Sequence, residues 1–170
     1  EIMKRVQSEM NMKEVSICYG MTETSPVSTQ TKIGVPFEKQ VSTVGTVQDH
    51  LEIKIIDPET GKIVNRGESG ELCTRGYSVM LKYWNDPEKT KQSLDEGRWM
   101  HTGDLASMDE EGYITITGRI KDLIIRGGEN ISPKWIEDFL YTHPKIVDVQ
   151  VIGVPSEKYG EEVMAWVKLH

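Results

Sequence analysis

Gly118-Arg119-Ile120-Lys121-Asp122 is the stretch at which this chain changes character. Upstream of it, short alternating runs are separated by turn residues. Leu51, Ile53 and Ile55 alternate with Glu52 and Lys54, the period of a half-buried strand. Asp57-Pro58-Glu59-Thr60-Gly61 then reads as a turn, because proline presets φ and glycine accepts a positive φ. Residues 62–65 read as its returning partner. Residues 71–75 and 77–81 read as further strands, and 105–108 with 113–117 as a hairpin around Asp109-Glu110-Glu111-Gly112. Downstream the pattern is αβ. Residues 123–125 are a short strand and Gly127-Gly128 a turn. Ser132 and Pro133 open a helix with an apolar stripe of Ile136, Phe139 and Leu140, ending before Pro144. Val147, Val149 and Val151 alternate as a strand, and residues 163–169 form the last one. The chain is therefore α/β, hairpin-rich over residues 1–119 and αβ over residues 120–170.

Working outward to the start, Ile2, Val6 and Met10 predict a helix over residues 1–11. Residues 15–19 read as a buried strand. Residues 22–40, rich in Ser, Thr, Gly and Pro, read as loop. Asp86 and Pro87 are the N-cap and first position of another helix, with Gly97 past its end.

A chain of 170 residues buries roughly 70% of its unfolded surface, enough for a core. It carries 20 basic and 27 acidic residues, a net charge of −7, and no basic stripe, which argues against nucleic acid as a partner. No apolar run has the roughly 20 residues of a membrane-spanning helix. Cys18 and Cys73 lie far apart in strand-like contexts, so a reducing, cytoplasmic setting is expected. His50, His101, His143 and His170 form no ligand pair at short spacing, and surface or loop roles are expected for them.

Four segments carry candidate chemistry. In Tyr19-Gly20-Met21-Thr22-Glu23, a glycine loop after a strand presents a hydroxyl and a carboxylate together. Glu23 suits Mg²⁺, which combines one or two carboxylates with substrate phosphates, and Thr22 suits a phosphate oxygen. The alternative is a solvated surface loop. In Thr102-Gly103-Asp104 the carboxylate can accept from two vicinal hydroxyls, or cap a turn. Arg119 offers a planar donor fork for ribose or phosphate oxygens, or lies at a hairpin edge. Gly127-Gly128-Glu129-Asn130 lets backbone approach a ligand closely, or is a plain turn before a helix.

In this order, with Gly70-Glu71-Leu72-Cys73-Thr74-Arg75-Gly76 between them, these segments resemble the AMP-forming acyl-CoA synthetases. The resemblance covers essentially the whole chain. It implies the hairpin-rich, distorted-barrel end of a large N-terminal domain, followed by the first part of a small αβ lid. It implies ATP, Mg²⁺ and coenzyme A, with a carboxylic acid, most naturally a fatty acid, as substrate. Tyr19, Gly20 and Met21 would lie at the adenine, Thr22 at the phosphates, Glu23 at Mg²⁺, Asp104 at the ribose and Arg119 at the nucleotide. Thr22 and Glu23 would be the catalytic pair. Lys121 would be the hinge of the lid, and Gly127, Gly128 and Glu129 would line the coenzyme A tunnel. Met21, Ser25 and Val27 would form the near wall of an acyl pocket. Tyr77, Tyr83, Trp84 and Trp99 would pack as scaffold. The family usually carries Glu where Trp135 stands, three residues after Ser132, where it completes a capping box that tryptophan cannot.

The family also uses a Gly/Ser/Thr-rich phosphate loop ending in lysine and a lysine late in the lid. Neither occurs in these 170 residues. The chain is thus expected to be an interior segment, inactive alone and prone to self-association through cut sheet edges. Two rivals remain: an adenylation domain charging a carrier protein, and a non-catalytic nucleotide-binding or assembly module. The Gly-Gly-Glu-Asn run speaks against the first, and the joint presence of Thr22, Glu23, Asp104 and Arg119 against the second.

Overall fold

The computed structural model describes residues 2–12 and 14–170. Residue 1, the side chain of Ile2 and residue 13 lie outside the described residues, and part of the first expected helix falls there. The chain forms two compact units, Glu1–Thr102 with Ala106–Ile116, and Gly103–Leu105 with Thr117–His170.

The first unit begins with α1 (Ile2–Glu9), β1 (Cys18–Gly20), β2 (Val27–Gln30), α2 (Phe37–Ser42) and β3 (Thr46–Val47). The three strands form one sheet in the order β1-β2-β3. It continues with β4 (Leu51–Ile56), β5 (Gly70–Gly76) and α3 (Pro87–Ser93), then β6 (Met100–Met108) and β7 (Ile114–Arg119), in the sheet order β4-β5-β6-β7. Strands β4 and β5 run antiparallel, with Leu51 opposite Gly76 and Ile55 opposite Leu72. Ile55, Leu72, Ala106 and Ile114 make the core of this unit, and Val79, Leu94 and Met100 a second cluster. Asp86 caps α3 by accepting from the Lys89 N–H at 2.9 Å, with Pro87 inside the first turn, as its sequence predicts.

The second unit contains β8 (Ile124–Arg126), β9 (Glu129–Ile131), α4 (Pro133–Leu140), β10 (Ile146–Ser156) and β11 (Gly160–Leu169), in the sheet order β10-β11-β8-β9. Its core is Ile124, Val149 and Val151, against which Ile136 and Leu140 of α4 pack. No barrel closes among the described residues, and among them no helix is long and apolar enough to cross a membrane.

Several expectations need correction. The strand expected over residues 15–19 is β1, and it is exposed to half-buried, because it sits at a sheet edge and, among the described residues, pairs only with β2. The loop expected over 22–40 holds a 3-10 turn (Thr22–Thr24), β2 and most of α2. Its polar composition hid a buried threonine layer. Thr24, Ser28, Thr29 and Thr31 are buried, and the Thr29 hydroxyl donates to Val44 O at 2.7 Å. Residues 77–81 are no strand. Gly76 turns the chain away at φ 150, and Tyr77 and Leu81 are exposed. Residues 62–65 return toward β4 with a single bridge, Ile56 to Ile63. Ser132 sits at the N-cap of α4 without capping it, because its hydroxyl donates to Thr117 O at 3.0 Å instead. Phe139 faces out, and a register shift between Ile146 and Asp148 turns Val147 outward too. Tyr77, Trp84 and Trp135 are exposed at 80%, 83% and 78%, so none of them packs as scaffold within the chain. Trp99 is half-buried, with Lys54 Nζ and Arg75 Cζ each 4.5 Å from its ring.

Candidate active site

The glycine loop after β1 is built from inside out. A Cβ on Gly20 would stand 1.6 Å from Pro26 O, so only glycine lets the chain pass itself here. Thr24 is fully buried, and its hydroxyl accepts from the Met21 N–H at 3.1 Å and contacts Met21 O and Pro26 O, each at 3.0 Å. Ser25 closes the turn in the left-handed region at φ 56. Tyr19 packs against the main core and Met21 against the Val79 cluster, so neither is a free surface residue. Val27 is half-buried and Ser25 exposed.

This frame presents Thr22 and Glu23 differently. Thr22 is exposed. Glu23 is half-buried and held twice: its carbonyl accepts from the Met80 N–H at 2.8 Å, and its Oε1 accepts from the Tyr83 hydroxyl at 2.7 Å. Burial, and then the bond to Glu23, raises the Tyr83 phenol above its ordinary value. Tyr83 is 60 residues away in sequence, and no local pattern reveals it.

Gly103-Asp104 is no hairpin turn; it lies inside β6. Gly103 takes φ 72, and the next side chain, Asp104, is mostly buried and accepts from Arg119 Nε at 3.0 Å. Two of the expected nucleotide residues thus meet within the second unit. Thr102 anchors the strand by donating to Leu72 O at 2.7 Å. Lys121 is exposed in a one-turn 3-10 helix, Ile120–Asp122.

Gly127-Gly128 joins β8 to β9 in a two-residue hairpin, with Arg126 opposite Glu129. Both glycines have positive φ, at 60 and 90, as a type I′ turn demands. Gly127, Gly128 and Glu129 are all exposed.

One histidine departs from the surface role expected of it. His101 Nδ1 lies 2.8 Å from Glu71 Oε2 and 3.7 Å from Cys73 Sγ, and the ligand-type atoms of the three lie within 4.8 Å of one another. Neighbouring strands bring them together, which spacing along the chain does not reveal. Glu71 and His101 satisfy one another here. Burial pushes the Cys73 thiol up to about 12, so it stays neutral.

Residues 1–84 match the family described as AMP-binding enzyme, and residues 135–170 match the AMP-binding enzyme C-terminal domain. The chain is 54% identical to YngI of Bacillus subtilis over 169 residues, which is 99% of this chain and 31% of YngI. It is 52% identical to the mitochondrial medium-chain acyl-CoA ligase ACSF2 of Danio rerio, over 99% of this chain and 28% of ACSF2. Among solved structures, ATP-bound MatB from Rhodopseudomonas palustris superposes with a TM-score of 0.84 at 41% identity, over 90% of this chain and 30% of MatB. The chain thus spans under a third of each of these proteins.

Proposed function

The chain belongs to the AMP-binding enzyme family, and from that premise we propose that it is part of an ATP-dependent acyl-CoA synthetase acting on a carboxylic acid, most naturally a fatty acid. The observation that carries this reading is the Thr22–Thr24 turn, a rigid frame holding one half-buried carboxylate beside an exposed hydroxyl. The similarity to ACSF2, named as a medium-chain acyl-CoA ligase, supports the substrate class.

In the proposed reaction the acid's carboxylate attacks the α-phosphorus of ATP and pyrophosphate leaves. The coenzyme A thiol then attacks the acyl carbonyl, loses its proton, and AMP leaves. Mg²⁺, when bound, would neutralise charge on the phosphate oxygens. Glu23 fits such an ion: its carboxylate is a hard oxygen ligand, and with Oε1 bonded to Tyr83 its second oxygen would be the one to hold the cation. Thr22 would donate its hydroxyl to a phosphate oxygen. Tyr19, Gly20 and Met21 would form the adenine side, Asp104 would accept from ribose hydroxyls, and Arg119 would donate to the nucleotide. Lys121 would be the hinge of a lid beginning at residue 120, and Gly127, Gly128 and Glu129 would line the path of coenzyme A. Positioning and fixed charge do most of the work in such chemistry. The proposed location is the cytoplasm, on the strength of two thiols far apart in sequence; ACSF2 is named as mitochondrial.

The test is pyrophosphate release by the full-length protein with ATP and a panel of carboxylic acids. Acid-dependent release followed by coenzyme A-dependent AMP formation is expected. No release with any acid overturns the reading, and acyl transfer to a carrier protein but never to coenzyme A moves it to the carrier-charging rival.

A further inference from the structure

We propose that Tyr83 is a positioning residue that orients the Glu23 carboxylate for a divalent cation. The inference rests on the reading above, which gives Glu23 to Mg²⁺. Its ground is the way one irregular segment clamps one acid. Residues 80–83 lie outside any helix or strand, yet they grip Glu23 at both main chain and side chain: Met80 N–H to its carbonyl at 2.8 Å, Tyr83 hydroxyl to its Oε1 at 2.7 Å. That segment is itself pinned. Arg98 donates to Met80 O at 2.8 Å and to Leu81 O at 3.2 Å. The Tyr83 N–H donates to Thr90 Oγ1 at 3.0 Å, and Thr90 donates to Asp86 O at 2.7 Å at the start of α3. Lys89 Nζ lies 4.3 Å from the Tyr83 ring. Apolar packing accounts for one end of the segment only: Met80 lies against the Val79, Leu94 and Met100 cluster, whereas Leu81 and Trp84, on either side of Tyr83, are each 83% exposed.

The chemistry of the clamp fits a cation ligand. A lysine or arginine at this position would neutralise Glu23 and compete with a metal. A phenol hydroxyl fixes one carboxylate oxygen and leaves the charge in place. Partners that hold a ligand in this way typically carry a large share of metal affinity.

The test uses the full-length protein, with Mn²⁺ as a spectroscopic probe in the presence of ATP, and compares wild type, Tyr83→Phe and Glu23→Gln. Binding is read by electron paramagnetic resonance, independently of turnover. Tyr83→Phe is expected to weaken Mn²⁺ binding about 10-fold, and Glu23→Gln to weaken it further. In turnover assays Tyr83→Phe should raise the Mg²⁺ concentration for half-maximal rate far more than it lowers kcat. Mn²⁺ affinity in Tyr83→Phe equal to wild type overturns the inference, and a loss of kcat and thermal stability alone marks a merely structural tyrosine. Wild type and Glu23→Gln alike in Mn²⁺ binding removes Glu23 as a ligand and the inference with it. An intact affinity ladder in a protein that releases no pyrophosphate leaves the Tyr83 assignment standing and overturns only the synthetase reading.

Discussion

The loop from Gly20 to Pro26 and the hairpin tip at Gly127-Gly128 are both glycine loops that we propose to meet ligands, and they are built in opposite ways. In the first, Thr24 has no exposed surface and its hydroxyl makes three contacts with backbone. Gly20 passes Pro26 with no room for a methyl group. In the second, the residues from Gly127 to Asn130 are exposed, and a Cβ on Gly128 would meet nothing within 4 Å. Packing and hydrogen bonds over-determine one loop. Backbone conformation and one anchoring hydrogen bond, from the Gly127 N–H to Tyr159 O at 2.9 Å, determine the other. A loop that must hold a carboxylate in place needs the first design, and a loop with few buried contacts opens locally at low cost.

The sharpest way to break this contrast is Gly20→Ala. The new Cβ would fall 1.6 Å from a main-chain oxygen, so backbone must move. A loss of about 3 kcal/mol is expected, at the upper end for overpacking, and read as a lower urea midpoint. Thr24→Val comes next. It keeps the shape but leaves the partly buried Met21 N–H without its hydroxyl partner, at a cost of about 2 kcal/mol. Thr24→Ser keeps the hydroxyl and should recover most of that loss.

Alanine at the hairpin tip should behave otherwise. At Gly128 the strain is purely one of backbone, φ 90 in open space, so Gly128→Ala should cost about 1 kcal/mol. Gly127→Ala should match it, since its Cβ would meet only Tyr159 Cδ1 at an ordinary 3.4 Å. Asparagine tolerates positive φ and should be milder than alanine at either site. If Gly128→Ala proved as damaging as Gly20→Ala, the contrast between the two loops would fail.

How far each loop is legible in sequence follows from the same contrast. The hairpin tip is local. Two adjacent glycines after a short apolar run state the turn, although β9 itself, three residues long and polar at two of them, was missed. The cap at Asp86 and the strands at β4, β5 and β10 were legible for the same reason: their determinants lie within a few residues. The loop at Thr22 was legible as chemistry and not as structure. Its buried threonines carry no apolar period, so β2 read as loop. Its chief support, Tyr83, is brought in from 60 residues away. The cluster of Glu71, Cys73 and His101 was missed on similar grounds, because sheet pairing and not spacing joins it. Ser132 shows the limit of a local rule. A capping residue at the right place used its hydroxyl on Thr117 instead.

The smallest expected effect lies at the base of the same hairpin and concerns how an acid is held. Arg126 stacks its guanidinium 4.1 Å from the Tyr159 ring and donates from Nε to the Glu162 carboxylate. That contact holds Glu162 below its ordinary value of 4.5. A depressed folded-state value means that the contribution is fully present above pH 4.5 and is lost as pH falls through the folded value. Both side chains are more than a third exposed, so salt should screen the pair. The Glu162 carboxyl titration followed by NMR should therefore have a midpoint below 4.5 at low salt and rise toward it at high salt. Arg126→Gln should raise it toward the ordinary value and remove most of its salt dependence, the Val163 N–H bond to the same carboxylate remaining. Glu23 is held by a neutral hydroxyl instead, and a hydroxyl has no charge for salt to screen. Its carbon resonances should keep their positions across the same salt series, and a Glu23 that loosened along with Glu162 would mean that charge and not the Tyr83 bond holds it.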